Sequence, residues 1–248
     1  MSEWWQDLFI SGDYRQLGDI APEQTGKQVD FALGALNVGI GDRLLDVACG
    51  IGRHSVPFAA AGLSVTGVDI SPVYLATASE RGERHGARFV QGDMRYLPVR
   101  SDAYDAAVNL FTSFGYFATD DEDQRVLHEI GRALRPGGRF LLDVSHHDGL
   151  IARFQERDWM PISDGLLLES RTWDARKGRA ETVWTYVRAG ATQSYPVSIR
   201  MYTCPEIERM LAAAGMRMRD LWGDWDGAPL TMRSWRMIVL AEKVPGRA

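Results

Sequence analysis

The residues best placed to do chemistry lie in Leu44-Leu45-Asp46-Val47-Ala48-Cys49-Gly50-Ile51-Gly52-Arg53-His54, where an apolar run meets a carboxylate and then a Gly-x-Gly turn. Glycines at 50 and 52 carry no Cβ and allow backbone angles closed to other residues, so the main chain can approach a ligand there. A second apolar run, Val65-Thr66-Gly67-Val68-Asp69, ends in another carboxylate. Its offset of about 20 residues is where nucleotide-binding α/β folds place the acidic ligand of a ribose diol. A carboxylate there accepts hydrogen bonds from a neutral diol and would repel a 2′-phosphate, which disfavours phosphorylated dinucleotides. Unphosphorylated NAD remains open, although the third glycine of its fingerprint would fall at Ser55. A Walker-type site lacks its Gly-Lys-Ser/Thr ending.

Five apolar runs alternate with helical patterns over the first 145 residues. Strands are predicted at Leu44 to Val47, Ser64 to Val68, Arg88 to Asp93, Tyr104 to Leu110 and Arg139 to Val144. Between and before them, helices are predicted over Thr25 to Leu36, His54 to Ala61, Pro72 to about Gly86 and Asp121 to Leu134, the last broken by Pro136-Gly137-Gly138. Such alternation predicts a parallel sheet with helices on both faces. The pattern then changes to an antiparallel meander of three runs, Leu166 to Trp173, Glu181 to Arg188 and Ser194 to Tyr202. A helix over Pro205 to Ala214 and strands at Met216 to Trp222 and Trp235 to Ala241 close the chain. The expected fold is α/β: a doubly wound, mostly parallel seven-stranded Rossmann-like sheet with an antiparallel β meander inserted after strand five. Within one domain, 1–42 would be an N-terminal lid and helix, 43–145 the cofactor core, 146–203 the inserted substrate lid and 204–248 the closing helix and strand pair.

With these motifs in place, the chain resembles the class I S-adenosylmethionine-dependent methyltransferases. Leu44 to His54 looks like their first motif, Val68-Asp69-Ile70-Ser71-Pro72 the second, Gly92-Asp93-Met94 the third, and Leu134-Arg135-Pro136-Gly137-Gly138 the turn before strand five. Ala48 stands for the first glycine of the family pattern and His54 for the last. The layout is similar to the glycine, sugar-amine and quinone-type enzymes that act on small molecules. The resemblance implies S-adenosylmethionine as cofactor and S-adenosylhomocysteine as product. It would set Asp46 and the Gly50 and Gly52 backbone near the methionine portion, Asp69 on the ribose hydroxyls, Asp93 on the adenine amine and Met94 beside the ring, with Ala48 and Ile70 also among the cofactor-binding residues. Asn109 would lie below the sulfonium and Tyr14 over the cofactor carboxylate.

Methyl transfer from a sulfonium is an in-line displacement, so most acceleration can come from holding donor and nucleophile together, with no obligatory acid, base or metal. Ligands of such sheets bind beyond the strands' C-terminal ends. That nominates Phe111, Ser113, Phe114 and Tyr116 after strand four for the methyl acceptor, with Trp5 and Trp225 as aromatic lid residues. Arg200 and Tyr202, ending the meander, could hold an anionic substituent. Asp224 and Asp226 would favour a cationic amine instead. His146 and His147, after strand five, are the candidate bases, since imidazole can take a proton near neutral pH; their alternative is a solvated or helix-capping loop. His54 is read as packing or capping the first core helix.

At 248 residues, 45% hydrophobic and net charge −5, the chain has the size of one α/β domain and no overall basic balance for a phosphate backbone. Cys49 and Cys204, its two cysteines, cannot build a disulfide framework or a thiolate cluster. No apolar run approaches the roughly 20 residues that span a bilayer, and the acidic, aromatic start lacks the pattern of a signal peptide. A cytoplasmic monomer or homodimer is expected, acting on a small-molecule acceptor without nucleic acid or membrane. The competing readings are a cofactor-binding protein without turnover and an NAD-dependent oxidoreductase.

Overall fold

The computed structural model describes residues 4–11, 21–162 and 164–245. Helix α1 is Trp4–Ser11 and α2 is Pro22–Leu36. Then follow β1 (Arg43–Val47), α3 (Ser55–Ala60), β2 (Ser64–Asp69), α4 (Pro72–Gly82), β3 (Arg88–Gln91), β4 (Tyr104–Asn109) and α5 (Asp120–Ala133). Strand β5 is Leu134–Ser145 and α6 is His147–Ala152. The meander comprises β6 (Arg157–Ile162), β7 (Gly165–Asp174), β8 (Arg179–Arg188) and β9 (Ala191–Arg200), and the chain closes with α7 (Cys204–Ala213), β10 (Met216–Trp222) and β11 (Arg236–Lys243).

The main sheet has seven strands in the order β10-β11-β5-β4-β1-β2-β3, parallel except where β11 pairs antiparallel with β5 and β10. Neighbouring apolar residues part to its two faces because side chains alternate along a strand. Leu45, Ala107 and Leu142 pack with Val126 and Ile130 of α5 and Ile207 of α7. Leu44, Ala106 and Leu141 pack with Val29 and Ala32 of α2 and Phe58 of α3. Both faces are buried, which is why these strands read as continuous apolar runs.

The predicted elements form, with four differences. Pro136-Gly137-Gly138 lies inside β5 as a bulge: pairing with β4 jumps from Tyr104↔Leu134 to Ala106↔Arg139, and Gly137 takes φ +74. Two short helices, α1 and α6, have too few turns for a periodic signal. The fourth meander strand, β6, also escaped the pattern, because this edge strand is exposed along almost its whole length and carries Pro161.

Helix α1 ties the two sheets together. Its Leu8 is fully buried against Leu167, Tyr186, Tyr195 and Val197 of the meander, while the Phe9 carbonyl accepts a hydrogen bond from Ser71 Oγ, at 2.9 Å, at the start of α4. A polar joint does the same from the other side. Gly115 O accepts from Arg200 N at 2.8 Å, and Tyr202 Oη donates to Asp123 Oδ2 at 2.8 Å. Of the four carboxylates opening α5, Asp123 points inward and is fully buried.

Burial pushes the Asp123 carboxyl up to about 7, against the Tyr202 hydrogen bond, the Arg179 charge and a backbone bond at Phe117, with Asp120 adding to the rise. Its pKa in the fold thus exceeds the unfolded value, so its stabilising contribution is complete below the unfolded pKa and is lost as pH rises through about 7. Asp46 behaves alike. Thermal unfolding followed across that window should show a falling midpoint, and Asp123→Asn should remove part of the fall. A midpoint with the same pH slope in wild type and variant would refute the assignment.

Candidate active site

Beyond the C-terminal ends of β1, β2 and β4 lies a partly open cavity, at the edge of the sheet where α/β folds bind ligands. Its floor is the glycine turn. Ala48 takes φ +58, Gly50 φ +54 and Gly52 φ +75. Ala48 therefore adopts the left-handed conformation of the glycine it replaces. Ala48 and Gly50 line the cavity, with open space where a Gly50 Cβ would lie. Gly52 faces away: a Cβ there would sit 3.1 Å from Ala78 Cβ and 3.3 Å from the Phe89 ring, so this glycine serves the packing of α4 and β3.

Three carboxylates reach the cavity. Asp69 accepts from Gly50 N at 2.8 Å on Oδ2 and from Ser71 N at 2.9 Å on Oδ1, leaving lone pairs on both oxygens. Burial raises its pKa, and the backbone hydrogen bonds from Ser71, Gly50 and Ile70 oppose the rise. Asp46 accepts from Ser55 Oγ at 2.5 Å. Burial pushes it up to about 7, helped by the Asp69 charge and resisted by Ser55 and Arg53. Asp93 is engaged by Arg95, whose Nη2 donates to Oδ2 at 2.7 Å and whose backbone N donates to Oδ1 at 2.8 Å. Ile70 and Met94 also line the cavity.

Asn109 is fully buried between β1 and β4, where Nδ2 donates to Val47 O at 2.9 Å, and it does not line the cavity. Tyr14 lies outside the described residues. Of the acceptor-side expectations, Trp5, Phe111, Ser113 and Tyr116 line the cavity. The indole Nε1 of Trp5, 5% exposed, finds no hydrogen-bond partner among the described residues.

The other acceptor-side expectations are corrected. Phe114 belongs to the core, its ring 5.5 Å from Tyr202, because the loop turns its side chain under the sheet. Tyr202 is buried on Asp123, and Arg200 is spent on Asp120 (3.2 Å) and Glu206 (2.6 Å), tying the meander to α5 and α7. Trp225 packs edge-on to Phe31 of α2 at 5.6 Å. Asp224 and Asp226 bond to backbone within their own turn, accepting from Trp225 N and Ala228 N.

Neither candidate base lines the cavity. His146 is the N-cap of α6, its Nδ1 accepting from Gly149 N at 3.3 Å. His147 holds Asp148 at 2.7 Å, stacks edge-on to Trp173 at 5.4 Å and borders a second cleft with Arg200 and Glu206.

The sequence reading gave Arg53 no role and His54 only packing or capping, yet both stand in the cavity wall. Arg53 Nη1 donates to Gln28 Oε1 at 2.8 Å and Thr25 Oγ1 at 3.1 Å, and the guanidinium lies 4.8 Å from the Phe111 centroid. His54 stands at the start of α3 without a side-chain cap; its Nε2 meets the same Gln28 oxygen at 2.8 Å, so that nitrogen is the donor. Burial, then the Arg53 and Arg236 charges, hold its pKa well below the usual imidazole range and keep it neutral. Phe9, Tyr74 and Phe117 complete an aromatic wall. Nothing in their local patterns distinguished them from core residues.

A Gly-x-Gly turn and a strand-end carboxylate at the switch point of this sheet define an α/β nucleotide-cofactor protein. Residues 44–138 match the family described as "Methyltransferase domain". The chain is 26% identical over 214 residues to a putative methyltransferase, YqeM, of Bacillus subtilis, covering 81% of this chain and 84% of that protein. It is 36% identical over 125 residues to the glycine/sarcosine N-methyltransferase of Halorhodospira halochloris, covering 49% and 47%. The CcbJ methyltransferase of Streptomyces caelestis shares its fold, with a TM-score of 0.79 at 18% identity over 91% of this chain and 97% of that one. Residues 44–138 thus carry a methyltransferase domain, set in a chain that shares the fold of that enzyme.

Proposed function

We propose that the cavity binds S-adenosylmethionine with its ribose diol on Asp69, its purine between Ile70 and Met94, and its α-carboxylate on Arg53, and that the acceptor enters beside Phe111, Ser113 and Tyr116. The observation that carries this reading is Asp69: a buried carboxylate at the end of β2, fixed on the glycine turn by Gly50 N, with acceptor capacity left over. The residues present fit that cofactor. The open space at Gly50, the unpaired Trp5 indole N–H and the Arg53 guanidinium supply a close approach, a donor and a cation in one wall. When bound, the cofactor supplies a methyl group on a sulfonium, activated for displacement.

This chain's residues would then bind, orient and exclude water. Asp93, committed to Arg95, contributes to the adenine end mainly by fixing the loop that carries Met94. Helix α1 and the meander form the cover, since Trp5 and Phe9 line the cavity while Leu8 is anchored in the meander. Neutral His54, its tautomer set by Gln28, is the imidazole nearest to the reaction, in place of His146 and His147. A net charge of −5 supports a small-molecule acceptor over nucleic acid, and a cytoplasmic setting goes with that reading.

Calorimetric titration with S-adenosylhomocysteine and with NAD tests the assignment. Binding of the first and silence from the second is expected. NAD binding alone would overturn it.

A further inference from the structure

Directly after β4 the chain does something that non-glycine residues avoid. Phe111 and Thr112 take φ +61 and +59 in succession. Left-handed backbone is uncommon outside glycine, and for a β-branched residue such as Thr112 it is an outlier. A conformation of this kind persists where its surroundings hold it, and such residues cluster at functional sites.

The holding groups come from β5 and β11. Asp143, 1% exposed, accepts from Phe111 N on Oδ2 at 2.9 Å, and its backbone carbonyl accepts from Thr112 N at 3.0 Å. Arg236 grips the same carboxylate with two bonds, Nε to Oδ1 at 2.6 Å and Nη2 to Oδ2. A paired guanidinium fixes a carboxylate in orientation as well as charge. The Arg236 guanidinium also lies 5.5 Å from the Phe111 centroid, while Arg53 lies 4.8 Å from it. Thr112 Oγ1 and Ser145 Oγ, 3.1 Å apart, add a further tie to the end of β5. What this turn presents is the cavity wall itself, Leu110, Phe111 and Ser113.

We propose that Asp143 and Arg236 act as a clamp that holds the Phe111–Thr112 turn in its left-handed form and thereby fixes the Phe111 ring in the wall where the methyl acceptor sits. Both are positioning residues. The assignment of that wall rests on the reading of the cavity given above, whereas the clamp itself is a property of the free protein and is tested without ligand.

Asp143→Asn keeps the shape and one acceptor oxygen but removes the charge that Arg236 and Phe111 N share. Amide exchange of residues 110–116 should accelerate about tenfold relative to β1, the scale of one hydrogen bond to a charged acceptor. Adding Thr112→Gly should restore slow exchange, because glycine takes that φ without steric cost. A role confined to stitching β5 to β11 would open the amides of those strands and would not respond to glycine at 112. Unchanged exchange at 110–116, or no rescue, overturns the clamp. Should Asp143→Asn fail to fold, Thr112→Gly alone decides. A held, strained turn predicts a higher thermal midpoint for that variant; a lower one overturns the proposal. Titration of the wild type with S-adenosylhomocysteine judges the cavity assignment separately.

Discussion

Asp69→Ala weakens S-adenosylhomocysteine binding by about 1.5–3 kcal/mol, the worth of hydrogen bonds to a charged acceptor. The effect has two parts. One is direct, through the lost acceptors for the ribose diol. The other is internal, since Asp69 also receives Gly50 N and Ser71 N, and without it both the glycine turn and the first turn of α4 lose a tether. Asp69→Asn separates them: the amide oxygen retains one tether and the negative charge is gone. Calorimetry reads the affinity, and thermal unfolding of the free variants reads the internal part. Wild-type affinity in Asp69→Ala would remove the residue from the cofactor site.

Arg53→Met leaves an apolar stem against Phe111 and removes the only Lys or Arg side chain among the cavity-lining residues described. The expected loss for S-adenosylhomocysteine is again about 1.5–3 kcal/mol, roughly 10- to 150-fold. The informative comparison is 5′-methylthioadenosine, which carries the same purine, ribose and sulfur without the amino acid. Its affinity should not change. An equal loss for both ligands would make Arg53 a support for Gln28 and Phe111, and no loss for either would place the cofactor carboxylate elsewhere.

The difference between these two residues shows what could be read in advance. Asp69 was legible because its role follows from a local rule: the last residue of a buried strand, at a fixed offset from a glycine turn, must emerge at the sheet's ligand edge. Arg53 sits three residues after Gly50 in full view, yet its use depends on Gln28 and Thr25 of α2 and on the Phe111 ring. Phe111 and Phe114 make the same point within one loop. Both follow β4, and the left-handed turn at Phe111 and Thr112 sends one ring into the cavity and the other into the core. His146 was expected at the right end of the sheet, but a cap on α6 takes its ring.

By itself, the sequence determined the order of the elements, the sheet that buries them and the edge of that sheet where a cofactor could bind. These depend on strand and helix periodicity and on glycine, which act over a few residues. Only the tertiary structure decided which side chains face the cavity. Arg200, Tyr202 and Trp225 were all nominated for the acceptor side by chain position, and each is turned away by partners 79 to 194 residues distant: Asp120 for the first, Asp123 for the second and Phe31 for the third. A side chain's direction is settled by whichever distant partner offsets its burial, and that partner is chosen by packing rather than by neighbours in sequence.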